Sequence, residues 1–298
     1  MTSAQSLATA SKLRSISIGA RLRACWTLYV LTLRQHFHGR RWWVIVALFL
    51  LPAGLAVLVR STEPDVPSVA LEFLLAFMFI PQALLPLVAL LYASGLIQDE
   101  QEEQTITYLL IRPIPKSVIY LSKLLATLTT TVSLAAIFTV LTYAAIYAGA
   151  DAEPENVATR CLKAASIHSL AVVAYCSLFG LMSLLTKRIL VVGILYIAVV
   201  EGLLANLPFG IRLITVIYYT RLIAYRSLDF VFTSPGGRTE NIAAEAWQLD
   251  IGRDPELLEH PQLSTCLMVL LIGSLVCTIL AAWLCTQREF HVKTPEKA

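Results

Sequence analysis

Six apolar runs, at about 42–59, 71–97, 118–148, 164–185, 189–207 and 263–284, constrain this 298-residue sequence more than any other feature. A helix needs about 20 apolar residues to cross the hydrocarbon of a bilayer, and each run comes close to or exceeds that length. Within lipid the backbone has to satisfy its own polar groups, so such runs specify helices. The sequence therefore predicts an all-α polytopic membrane protein with six transmembrane helices. Composition agrees: 57% of residues are hydrophobic and 14% charged, against roughly 25% charged in a soluble domain. A net charge of +3 gives no reason to expect a nucleic-acid partner. The cysteines Cys25, Cys161, Cys176, Cys266, Cys277 and Cys285 form no CxxC and mostly fall in or beside apolar runs, so neither a disulfide framework nor a metal cluster is expected. The first 40 residues show scattered bases and no compact apolar core, unlike a cleavable signal.

The loops set the orientation. Lys12, Arg14, Arg21, Arg23, Arg34, Arg40 and Arg41 precede the first span without any acid. Lys187 and Arg188 fill the turn between spans four and five, and Arg288, Lys293 and Lys297 follow span six. This bias predicts that both termini lie in the cytoplasm of a cell (inner) membrane protein. The loops at 60–70, 149–163 and 208–262 are then external. The stretch 208–228 is apolar but interrupted by Arg212, Arg221 and Arg226, which fits external interfacial helices with snorkelling arginines better than a seventh crossing. The resulting division is a tail and interfacial helix at 1–41, a membrane domain at 42–284 and a C-terminal tail at 285–298.

Glu201 stands inside span five, where a bare carboxylate costs several kcal/mol. A buried polar pair with Arg212 is one reading of it; a place in a translocation pathway or a dimer seam is another. His168, Ser166 and Ser169 are the other candidates for intramembrane chemistry, but no spacing joins them into a nucleophile site. Ser122, Thr127, Thr129, Thr130, Thr131 and Ser133, early in span three, suit helix packing better than a polar pore.

Two segments do more than fill the membrane. On a helix over Ile16–Arg41, Leu22, Trp26, Val30 and Leu33 share an apolar face with Tyr29, while Arg23, Arg34 and Arg41 reach water or anionic lipids. This elbow helix would lie in the interface and turn into span one at Gly39–Arg41. His36 and His38 have no third ligand nearby and do not read as a metal site. The second segment, at 98–117, joins spans two and three. Glu100 and Glu103 share one face beside Asp99 and Glu102, Thr107 follows a turn later, and Tyr108, Leu109, Leu110 and Ile111 supply an apolar surface. Arg112, Pro113 and Pro115 end the helix. Such a helix is suited to seat on a soluble partner; the plainer alternative is an acidic turn whose leucines dip back into lipid.

That order of elements, with DEQEEQTITYLLIRPIPKSVIYLSKLLA at its centre, resembles permease subunits of ABC-2 type exporters. It is most similar to the stand-alone permeases of copper-maturation and gliding-associated transporters. The matching positions are Glu100, Glu103, Thr105, Leu109, Leu110, Arg112, Pro113, Ile114 and Lys123. The resemblance implies a homodimer working with two copies of a separate cytoplasmic ABC ATPase, and a coupling helix formed by Asp99, Glu100, Glu103, Thr107, Leu109, Leu110 and Arg112. ATP and Mg would sit on that partner, since this chain has no GxxxxGK[ST] loop. The chain itself would be neither an enzyme nor a cofactor binder. The 208–262 region is larger than the family's simple external hairpin and leaves room for an extracytoplasmic partner. An ion-gradient-driven transporter or channel and a non-transporting scaffold are the alternatives. No hydrophilic line runs through the spans, which favours an apolar or amphiphilic cargo, or a mechanical role.

Overall fold

A computed structural model describes residues 18–63, 66–102, 115–148, 156–207, 210–233, 239–247 and 261–287; of residues 97–102 it describes only the backbone. Among the described residues six helices are long and apolar enough to cross a membrane: Arg41–Thr62, Ser68–Leu96, Lys116–Tyr147, Val157–Leu185, Ile189–Asn206 and Leu263–Gln287. Spans four and five are separated only by a tight turn, in which the Arg188 N–H donates to Thr186 Oγ1. Span four starts about two turns earlier than its apolar run, immediately after Asn156, whose left-handed φ of 77° turns the chain into the helix. That extension brings Arg160 and Lys163 out of the expected loop and onto the helix.

Burial sorts the spans into a centre and a periphery. In spans two and four 61% and 67% of the apolar window is buried, against 22%, 22% and 17% in spans one, five and six. Leu55 and Leu58 on span one, Leu195 and Val199 on span five, and Leu271, Ile272, Leu275 and Ile279 on span six are exposed from the protein and suited to acyl chains. Small residues permit the closest approaches, as in other membrane bundles. A Cβ placed on Gly193 of span five would lie 2.3 Å from the Leu90 side chain of span two.

Neither span two nor span five is a uniform α-helix. Span two passes from Ser68–Leu71 into a π-helix over Glu72–Leu84, then returns to α-helix over Leu85–Glu102. Span five is α-helical over Ile189–Tyr196, π-helical over Ile197–Leu203 and 3₁₀ over Leu204–Asn206. π-helix is rare and concentrates where helices do specific work.

After span five the chain builds a cap at one end of the bundle. A 3₁₀ turn, Gly210–Ile214, leads into the helix Val216–Ser227, which packs on spans four and six. An antiparallel hairpin follows, pairing Val231–Thr233 with Thr239–Asn241, and then the short helix Ile242–Ala246. Trp247 packs on Phe73 of span two, with ring centroids 4.9 Å apart, and its Nε1 donates to Met78 Sδ at 3.0 Å. The cap arginines depart from the expected snorkelling. Arg212 and Arg221 are buried, because the cap helix is covered by the bundle; Arg226 alone of the three is exposed.

At the opposite end the helix Ile18–His38 lies along span three. Leu28 and Thr32 on this helix are buried, while Leu22 and Trp26 of its apolar face are about two-thirds exposed from the protein. The threonines of span three explain this. Tyr29 donates to Thr129 Oγ1 at 3.1 Å, and His36 Nδ1 lies 3.2 Å from Thr130 Oγ1, so the helix turns its more polar side inward.

Candidate functional site

Among the described residues two carboxylates are buried, Glu72 and Glu201, and each occupies one of the π-helical segments. Glu72 is fully buried at the start of the π-helix of span two. Tyr143 and Tyr147 stand four residues apart, hence on one face, near the end of span three. They donate to Glu72 Oε1 and Oε2 at 2.7 and 2.6 Å. Arg160 Nε from span four donates to both oxygens, at 3.2 and 3.0 Å, completing an ion pair. Arg160 Nη1 continues to the Asp229 carbonyl, and Lys163 Nζ reaches the Ser227 carbonyl at 2.9 Å. One cluster thus fastens spans two, three and four to each other and to the exit of the cap helix. A charge pair in this setting is stable because the remaining lone pairs are filled by hydrogen bonds.

Four residues further along span two, the π-helical geometry creates a second demand. In the i→i+5 pattern the Ala76 carbonyl would receive the N–H of residue 81, but Pro81 has none. His168 of span four meets it: Nε2 donates to the Ala76 oxygen at 2.9 Å, and Nδ1 lies 2.7 Å from Thr139 Oγ1. The carbonyl can only accept, so the ring proton belongs on Nε2. His168 is wholly buried in this role. Ser166 and Ser169 bond to the carbonyls of their own helix, so these residues and Glu201 do not converge on a reacting centre.

Glu201 is 1% exposed and serves as an acceptor for a helix terminus. The first N–H groups of a helix have no intrahelical partner. In the cap helix Val216 N donates to Glu201 Oε1 at 3.1 Å and Ile217 N to Oε2 at 2.9 Å, while Thr215 Oγ1 takes Tyr218 N. Tyr196 donates to the same carboxylate at 3.0 Å. The negative charge faces the positive end of the helix dipole. The expected Glu201–Arg212 pair does not form: with its oxygens committed to backbone donors, Glu201 leaves Arg212 to stack on the Tyr218 ring, 5.1 Å from its centroid. Burial lowers the pKa of Arg221 from its ordinary value, against the opposing pull of Tyr175 and Glu201. Arg221 bridges the two π-helical spans, donating to Asn206 Oδ1 at 2.9 Å and to Gln82 Oε1 at 3.3 Å.

Of the expected interfacial residues, Arg23, Arg34 and Arg41 are exposed, and Trp26 stacks on Tyr29 at 5.4 Å. Asp99 and Glu100 fall on the helix Leu85–Glu102, but their side chains, together with Glu103, Thr107, Leu109, Leu110 and Arg112, lie outside the described residues. Lys123, one of the positions matched to the exporter permeases, is buried beside that segment and donates to the Leu96 carbonyl at 3.0 Å. Sequence reasoning missed Glu72, Tyr143, Tyr147 and Arg160. The available signal was an acid at the mouth of span two opposite an i,i+4 tyrosine pair. Among the described residues no group of three His, Cys, Asp or Glu side chains is placed to hold a metal ion.

These features define a multi-pass α-helical membrane protein whose buried polar groups hold helices in place instead of converging on a substrate. Residues 38–204, more than half of the chain and all of its first five spans except a few terminal residues, match the ABC-2 family transporter proteins. The chain belongs to that family, as a membrane permease domain. No curated protein matches it. The matched region ends at span five, so the cap and span six lie beyond it.

Proposed function

We propose that the protein is the permease subunit of an ATP-driven ABC exporter or mechanotransmission complex. The observation that carries this reading is the family match across spans one to five, with an acidic and apolar segment at 98–117 between spans two and three. In this reading both termini are cytoplasmic in the inner membrane, two permeases form a homodimer, and two copies of a separate ATPase bind ATP and Mg. Glu100 and Glu103 steer the docking, and Leu109 and Leu110 enter an apolar groove on the ATPase. The helix Ile18–His38 acts as the elbow, with Arg23, Arg34 and Arg41 on anionic headgroups.

Span two is the natural lever of such a machine. It begins beside the cap, where Glu72 sits, and runs unbroken to Glu102 at the start of the docking segment. Force applied at Glu100–Leu110 is delivered along it to the Ala76–His168 and Gln82–Arg221 contacts. Movement there reaches the cap helix directly, because Arg221 belongs to it. The absence of a hydrophilic line through the spans favours an amphiphilic cargo or a mechanical output.

The test is affinity purification of the chain from its native membrane, which should recover a P-loop ATPase of separate sequence. Leu109→Ala with Leu110→Ala should leave the permease folded and inserted, but should abolish stimulation of the ATPase. Each well-buried leucine truncated in a packed contact costs about 2–5 kcal/mol. Recovery of the intact chain alone, under conditions that preserve ABC complexes, would overturn the reading.

A further inference from the structure

Arg212 is buried in the cap, 9% exposed, yet it takes no part in the bridges made by Arg160 and Arg221. The Tyr218 ring lies under its guanidinium, with Cζ 5.1 Å from the ring centroid. A contact of that kind engages the face of the cation and leaves its in-plane N–H donors unused. No carboxylate, hydroxyl or carbonyl among the described residues accepts from them. The Arg212 nitrogens are not among the fully enclosed polar atoms that lack a partner, so they open onto space beside them.

Those donors border a cavity of about 50 Å³ lined by Ala205, Asn206, Leu207, Arg212, Ala246 and Trp247. Its one side-chain amide is already engaged: Asn206 Oδ1 takes a hydrogen bond from Arg221, and Asn206 Nδ2 gives one to the Gly202 carbonyl. Glu201 is turned away onto the cap-helix N–H groups. Arg212 is the one charged side chain among the described residues that line the cavity, so an occupant paired with it has to bring acceptors and negative charge. A water molecule occupies roughly 10–15 Å³ on this measure, so the space suits a few heavy atoms and excludes a whole lipid or peptide. On either side of Arg212 in the 3₁₀ turn, Ile211 is 44% and Ile214 74% exposed. Apolar side chains directed outward just beyond the end of a span place this turn at headgroup depth.

We propose that Arg212 and its cavity form a phosphate-group site, filled by a phospholipid headgroup or by free phosphate. The planar fork of a guanidinium matches two phosphate oxygens at once, while its face stays on Tyr218.

The experiment uses the full chain, purified and delipidated in detergent. Native mass spectrometry follows retention of added phosphatidylglycerol, and thermal stability is recorded against inorganic phosphate with chloride as control. The wild type should hold phosphatidylglycerol, or be stabilised by phosphate, or both. Arg212→Gln should weaken whichever response is seen by about tenfold or more, the loss expected from one or two charge-assisted hydrogen bonds. Ala246→Leu, which fills the cavity and spares the guanidinium, should do the same, and it decides the matter if Arg212→Gln fails to fold. Lipid retention without a phosphate response identifies the headgroup as the source, and the converse identifies the free anion. A wild type that binds neither, or an Ala246→Leu protein that binds both as the wild type does, overturns the site.

Discussion

Glu72 and Glu201 are both buried carboxylates in π-helical turns, yet they are neutralised in different ways. Glu72 is held by side chains from two other spans, Tyr143 and Tyr147 on one and Arg160 on the other. Glu201 is held by backbone N–H groups of the cap helix and by Tyr196 of its own span. The first arrangement is a joint among spans two, three and four, so any relative sliding of those spans disturbs it. The second fixes the start of the cap helix to span five, while Lys163 and Arg160 tie its exit to span four. Arg221 of the cap helix links the two spans that carry these carboxylates, with a 2.9 Å bond to Asn206 on span five and a 3.3 Å bond to Gln82 on span two.

This contrast predicts a graded series. Replacing Glu72 by Leu strands the Arg160 charge and should cost about 3–5 kcal/mol, seen as a large fall in thermal stability in detergent. Adding Arg160→Leu should restore much of it. A Glu72→Leu protein as stable as wild type would show that the cluster is not a joint. His168→Leu should cost about 1–3 kcal/mol by leaving the Ala76 carbonyl unmet. Pro81→Ala should then rescue it, because the new N–H can serve that carbonyl; failure of the rescue would contradict the π-helical account of this contact. Glu201→Gln should cost about 1–3 kcal/mol, since it removes the charge at the helix terminus and leaves one of the two cap-helix N–H groups facing an amide donor. Its signature is faster hydrogen exchange at Val216 and Ile217, with spans two to four unchanged. Equal loosening of all spans would remove the distinction between the two arrangements.

The six spans were legible in the sequence because each apolar run is bounded by charge, proline or a polar turn. Span four was misjudged at its start because Val157–Lys163 is too polar to count as hydrocarbon-spanning, although it is helical. For the same reason Arg160 fell within an expected loop, and its pairing with Glu72 was missed. The amphipathic helix was legible as a helix; that Tyr29 and His36 on it would engage the Thr129 and Thr130 hydroxyls of span three was not. Glu201 and Arg212, eleven residues apart on the chain, suggested a pair by charge alone. The helix N-terminus at Val216 is a competitor that charge counting does not register.

The central claim, that a lever begins at the segment between spans two and three and is driven by a cytoplasmic ATPase, is tested most directly by a cysteine crosslinking scan. Single cysteines from Gln98 to Pro115 would be placed in a chain cleared of its native thiols and crosslinked to the co-purified ATPase in inverted membranes. The account predicts contacts with a helical period, centred on Glu100, Glu103, Thr107 and Leu110, and protection of those positions when the ATPase is present. Labelling of the segment from the external face, or a scan without a cytoplasmic partner at any position, would contradict it.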